Sequence, residues 1–225
     1  MNESQKIENT AWFPFFKKIT NSKKVLDIGC GPLPVFKHVI PFDKEHGDAS
    51  DVLKYINEKY DVVYSSHCLE HMLEPKRVLQ DWFSLVKSGG YLVVSVPHEV
   101  LYEQCFWPSI FNSDHKSSFR INSLINNDCY KNSISVEGVI SSLPNSEIIS
   151  ITVDDQGYDY RLIANNRFTK RLVYFELLIF NKLLCNKKYN KLGKLLLKIL
   201  NKIGIPFDQT LGGALAQITF IVKKI

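Results

Sequence analysis

No apolar stretch in the 225 residues approaches the ~20 that a membrane span requires. Glycine (11) and proline (9) are too scarce for a fibrous or low-complexity chain. The five cysteines, Cys30, Cys68, Cys105, Cys129 and Cys185, are scattered, odd in number and nowhere spaced as CxxC. That argues against a disulfide framework or structural zinc site, and predicts reduced thiols in a cytoplasmic protein. The first ten residues, MNESQKIENT, carry two glutamates and no apolar core, so they do not read as a secretory signal. Disorder is excluded too, because 45% hydrophobic and 23% charged residues are near globular averages.

What is present is unevenly charged. The net charge of +5 conceals a block, 167–202, with ten Lys/Arg and one acid, Glu176, so that block carries +9 and the remainder −4. The block reads as two amphipathic helices. In the second, Leu192, Leu195, Leu196, Ile199, Leu200 and Ile203 recur at helical spacing. A solvated basic face with leucines turned inward, or toward a second copy in a homodimer, is the plainest reading. Peripheral contact with an anionic membrane is the sharper one.

Elsewhere short apolar runs alternate with helical patterns. Strands are expected at 24–28, 38–43, 60–66, 91–97, 147–153 and 216–224. Helices are expected at 50–58, from Glu74 to Val86, and over 133–143, with a short helix or lid within 4–20 split by Pro14. This alternation predicts an α/β three-layer sandwich around a mostly parallel sheet, with ligands beyond the carboxyl ends of the strands. Residues 1–160 form the core, including a long aromatic- and histidine-rich loop at 98–121. Residues 161–210 are the inserted basic helices and 211–225 the last core strand. Loops of that length in compact domains are usually functional.

The most informative segment is Val25-Leu26-Asp27-Ile28-Gly29-Cys30-Gly31-Pro32. A strand delivers an acid, and a Gly-x-Gly turn then lets a ligand approach the backbone. A nicotinamide site would place a third glycine where Pro34 stands, so a dinucleotide is disfavoured. The segment closely resembles the first motif of the class I S-adenosylmethionine-dependent methyltransferases. Asp43, twelve residues past Gly31, resembles the family's acid for the ribose hydroxyls. Gly47-Asp48-Ala49 resembles its contact to the adenine amino group. The stretch from Tyr60 through Ser65-Ser66-His67-Cys68-Leu69-Glu70-His71, followed by Leu85-Val86-Lys87-Ser88-Gly89-Gly90, resembles its fourth strand, LEH segment and glycine turn.

The resemblance implies a seven-stranded Rossmann-like methyltransferase fold. It also implies S-adenosyl-L-methionine as cofactor, S-adenosyl-L-homocysteine as product, and cofactor contacts from Asp27, Gly29, Cys30, Gly31, Asp43, Asp48, Ala49 and Ser66. The interval from Gly31 to Asp43 is short for the family, so the first crossover helix is expected to be stunted. Chains with this LEH segment and a loop like Phe111-Asn112-Ser113-Asp114-His115-Lys116 resemble methyltransferases of bacterial surface-polysaccharide biosynthesis. The implied acceptor is a sugar, nucleotide sugar, or capsule or lipopolysaccharide precursor, methylated on oxygen.

Oxygen acceptors need a base, and histidine titrates nearest neutrality. His67 and His115 are the candidates, with Asp114 orienting an imidazole; His98 also flanks the expected site, and His71 lies one helical turn past His67. A divalent metal on His67, Asp114 and His115 is open, but no spacing demands one and none is expected. The tetrapeptide of amino-methylating nucleic-acid enzymes is absent, Ser65-Ser66-His67-Cys68 standing there instead, so nucleic acid is disfavoured as a substrate. The alternatives are a non-catalytic module that binds membrane or RNA through the basic helices, and a methyltransferase for a lipid, quinone or phosphorylated small molecule.

Overall fold

A computed structural model describes residues 3–122, 133–163, 199 and 208–225. Apart from Ile199, the inserted basic helices lie outside the described residues.

A 3-10 helix at Glu3–Asn9 leads into α1 (Phe13–Thr20), where Pro14 occupies the first turn. Proline is tolerated there because its missing N–H would have had no partner. The segment is no lid: Phe16 is fully buried, its ring 4.8 Å from that of Tyr64. The chain then forms β1 (Val25–Ile28), β2 (Ile40–Phe42) and β3 (Tyr60–Ser66). Helix α2 (Pro75–Ser84), β4 (Val86–Pro97) and two-residue strands β5 (Phe119–Arg120) and β6 (Ile134–Ser135) follow. Helix α3 (Val136–Ile140), β7 (Ser146–Asp154) and β8 (Gln217–Lys224) complete the described elements.

The main sheet has the order β2-β1-β3-β4-β8-β7. Strands β2, β1, β3 and β4 are parallel, whereas β8 runs antiparallel to both its neighbours. The expected seven strands are therefore corrected to six among the described residues, in a mixed sheet. The reason lies between β2 and β3. Residues 43–59 form no strand, only a 3-10 turn at Ala49–Lys54 capped by Asp48, so the three-residue β2 forms the edge. No helix forms over 32–39, as the short interval implied.

Alternation along the strands feeds two cores. Leu26, Ile28, Val63 and Val94 pack on one face with Trp82, Phe83 and Ile140 from α2 and α3. Val25, Val62, Tyr64 and Val93 pack on the other with Ile7 and Phe16. Burial of both faces explains why the parallel strands read as near-continuous apolar runs. Among the described residues, no helix is long and apolar enough to cross a membrane. Neither Cys30 nor Cys68 is in a disulfide, but Cys105 is, which corrects the expectation that every thiol is reduced.

Candidate functional site

A cavity of about 680 Å³ opens where β1, β2 and β3 end. Its wall includes Gly29 after β1, Asp43 after β2, and His67 and Cys68 after β3. One end is built from tight backbone turns. Gly29 has φ +73°, and a Cβ there would lie 2.5 Å from Cβ of Cys68. No other residue fits that position without displacing the wall. Gly31 has φ +62°, and its N–H donates to Asp43 Oδ2 at 2.6 Å. Asp43 Oδ1 accepts from the Lys44 N–H at 2.7 Å. Each carboxylate oxygen thus has one backbone donor and keeps acceptor capacity toward the cavity.

Asp48 and Ala49 also line this end, with Tyr55. Asp48 Oδ1 accepts from the Ser50 N–H at 2.8 Å, and this bond holds its carboxyl below the usual range. A Cβ at Gly47 would meet the Tyr55 ring at 2.7 Å, so the ring lies flush on the backbone.

Of the predicted contacts, Asp27, Cys30, Gly31 and Ser66 do not line the wall. Asp27 is fully buried, accepting from the Val35 N–H at 2.7 Å and the Ser4 hydroxyl at 3.4 Å. Burial pushes its carboxyl up to about 7. Its oxygens hold the turn that follows β1 together rather than facing the cavity. Cys30 is buried with Sγ 3.4 Å from the Gly31 carbonyl oxygen, and Ser66 is fully buried in β3.

The other end is a cluster of imidazoles and carboxylates. His67 follows β3 with φ +54°, a conformation non-glycine residues seldom adopt. Its Nε2 lies 2.9 Å from Gln217 Oε1, while the Gln217 amide donates to Asp154 Oδ2 at 3.1 Å. The amide orientation makes His67 Nε2 the donor and leaves Nδ1, 3.5 Å from Glu70 Oε1, as the basic nitrogen. Burial holds the Asp154 carboxyl above its usual range.

The loop after β4 closes on this cluster through its backbone. The N–H groups of Lys116 and Ser117 donate to the Glu70 carbonyl at 2.8 and 3.0 Å. That brings Asp114 and His115 beside His71. Asp114 lines the cavity but pairs with His71, its Oδ2 3.4 Å from Nδ1. The carboxylate that orients His115 is Glu103, at 2.7 Å from Nδ1, and both side chains are buried. His98 lies away from the wall: it is buried, and its Nδ1 accepts from the Val100 N–H at 3.0 Å. Burial lowers it to about 4.

Sequence reasoning missed Glu70, Tyr55 and Gln217 as site residues. Glu70 was visible inside the LEH segment, whereas the others carry no local signal and reach the site only through the fold.

A family model described as a methyltransferase domain matches residues 6–126. No curated protein matches the chain. Among solved structures, the chain is similar to Haemonchus contortus phosphoethanolamine N-methyltransferase 2 in complex with S-adenosyl-L-methionine. Identity is 14%, the TM-score is 0.51, and the match covers 94% of this chain and 51% of that one. A SAM-dependent methyltransferase from Archaeoglobus fulgidus matches with 15% identity and a TM-score of 0.48, covering 98% of this chain and 95% of that one.

Proposed function

The chain belongs to the methyltransferase-domain family, and from that membership we propose that it transfers a methyl group from S-adenosyl-L-methionine to an oxygen of a small polar acceptor. The observation that carries the reading is the two-ended cavity, with glycine turns and carboxylates at one end and a histidine cluster at the other.

The first end fits the cofactor. Gly29 leaves backbone bare of a side chain at the wall, the Gly31 N–H holds Asp43, and Asp43 offers spare acceptor capacity suited to a vicinal diol. Asp48, Ala49 and Tyr55 offer a carboxylate, a small side chain and an aromatic face for a purine. When bound, the cofactor supplies an electrophilic methyl on a sulfonium.

The second end suits a hydroxyl. His67 is the base in this reading, with Nδ1 receiving the proton. Gln217 fixes its ring, and the Glu70 carboxylate 3.5 Å away supplies negative charge beside the imidazolium formed. His71 and Asp114 offer polar groups to the acceptor from the wall. Their density favours a polyol such as a sugar or nucleotide sugar.

Calorimetry with S-adenosyl-L-methionine tests the first half. Wild type should bind in the micromolar range and Asp43→Ala more than tenfold more weakly; equal affinities would overturn the ribose assignment. A screen of radiolabelled methyl transfer onto nucleotide sugars and phosphorylated sugars, against amine acceptors, tests the second half. Transfer only to amines would overturn O-methylation.

A further inference from the structure

We propose that Glu70, His71 and His115 form a binding site for one divalent transition-metal ion at the inner end of the cavity.

These residues each offer one ligand atom, all within 4.8 Å of one another. They come together from two places in the chain. Glu70 and His71 lie in the 3-10 turn at Leu69–His71, and His115 comes from the loop that Lys116 and Ser117 tie to the Glu70 carbonyl.

The protonation pattern is the first argument. His115 Nδ1 faces a Glu103 carboxylate oxygen at 2.7 Å, and a carboxylate only accepts. The proton is therefore on Nδ1, and Nε2 carries a lone pair. That Nε2 lies 3.9 Å from Glu70 Oε1, too far for a hydrogen bond. His71 Nδ1 faces the Asp114 carbonyl oxygen at 3.2 Å, which likewise makes Nδ1 the donor and leaves a lone pair on Nε2. Both imidazoles thus have their far nitrogen held by a protein oxygen, the arrangement by which proteins orient histidine ligands.

Glu70 is the second, independent argument. It is 1% exposed, and neither carboxylate oxygen has a hydrogen-bond partner. An unpartnered buried carboxylate is costly, and such groups are normally paired or bound to a metal. Here a carboxylate and two imidazole lone pairs face one another with no donor among them. A cation satisfies all three. Metal–ligand bonds of about 2.1 Å place adjacent donors roughly 3.0–3.4 Å apart, so the 3.9 Å separation needs only side-chain adjustment.

Two nitrogens and one carboxylate favour zinc, iron, cobalt or manganese over magnesium or calcium, which prefer oxygen ligands. Three protein ligands leave coordination positions open. Because His71 lines the cavity, those positions are accessible from it. If the methyltransferase reading is right, the ion would take an acceptor oxygen there; the metal site itself does not depend on that reading.

The test uses metal-stripped full-length protein titrated with Co²⁺ and read by its visible absorption bands. One equivalent should saturate the wild type with nitrogen-ligand bands. Glu70→Gln and His115→Ala should lose them, and Glu103→Gln, which only positions His115, should bind 10–100-fold more weakly. His71→Ala, on the partly exposed rim, gives a variant whose folding is least at risk, and it too should lose at least tenfold. Absence of saturable cobalt binding in wild type, or binding unchanged in both Glu70→Gln and His71→Ala, would overturn the site. Asp43→Ala, run in parallel, should keep the cobalt bands while losing cofactor affinity. Cobalt binding in a wild type that fails to bind S-adenosyl-L-methionine would leave the metal site standing and sink the methyltransferase reading.

Discussion

The Nδ1–H of His115 donates to Oε1 of Glu103 at 2.7 Å, and both side chains are buried. Removing one partner of such a pair leaves a buried polar group stranded, which typically costs about 3–5 kcal/mol. His115→Ala should therefore lower stability by several kcal/mol in urea denaturation, and Glu103→Gln, which keeps an acceptor oxygen for the imidazole, by clearly less. Cofactor affinity should be unchanged in both, because neither residue lines the glycine-turn end. Equal stability losses would show that the imidazole requires the carboxylate charge and not merely an acceptor oxygen.

Gly29 and Cys68 fix the cavity wall between β1 and β3. A methyl group at Gly29 would sit 2.5 Å from Cys68 Cβ and 2.6 Å from its Sγ, on a backbone with φ +73°. The left-handed conformation alone costs about 1–2 kcal/mol for a residue with a Cβ, and the contact must also be relieved by moving β1 from β3. Gly29→Ala is expected to weaken S-adenosyl-L-methionine binding more than tenfold. Gly89→Ala is a control with open space around its Cβ, and should leave binding intact despite similar backbone strain. Calorimetry on the two variants separates the cavity effect from the backbone effect.

Two buried groups give stability opposite pH slopes. Asp27 titrates at about 7 in the folded chain, against 3.8 normally, because burial disfavours its charge. Between those values the folded state holds a proton that the unfolded state has released, so stability falls as pH rises, by about 4 kcal/mol in all. His98 titrates at about 4, against 6.5, also through burial. There the unfolded state holds the extra proton, so stability falls as pH drops from 6.5 to 4, by about 3 kcal/mol. The slopes oppose one another between pH 4 and 6.5. Asp27→Asn should gain about 3 kcal/mol relative to wild type between pH 5 and pH 8. His98→Gln should lose the acid-side decline. A stability difference between Asp27→Asn and wild type that is the same at pH 5 and pH 8 would refute the Asp27 assignment.

The glycine-turn end of the cavity was largely legible because its contacts are local. Gly29, Gly31 and Asp43 sit within fifteen residues, and a strand–turn–strand unit brings them together whatever the rest of the chain does. Asp27 shows the limit of that reading. Its place in the motif is clear, but only packing shows that Ser4 and Val35 occupy its oxygens. The other end was opaque for the same reason. Glu103 and His115 are twelve residues apart in an irregular loop, and Gln217 reaches His67 across 150 residues. Periodicity does not encode such contacts. The edge of the sheet differs in another way: family likeness supplied a seventh strand, whereas residues 43–59 turn into a 3-10 helix and the described residues hold six.

Gln217 carries the remaining prediction. Its Oε1 accepts from His67, its amide donates to Asp154, and Thr219 links the same carboxylate to Ser95. The amide thereby selects one histidine tautomer without touching the cavity. Gln217→Ala should lower kcat toward the roughly 10²–10⁴-fold that a positioned acid–base group contributes, with little change in cofactor affinity. Gln217→Glu keeps the acceptor oxygen but sets a second carboxylate beside Asp154, which burial already holds above its usual range. Like charges at that distance favour one shared proton, so this variant should recover activity as pH falls, whereas Gln217→Ala should not. A pH–rate profile of the two variants reads the difference. Matching profiles would mean that Gln217 only fills space behind His67.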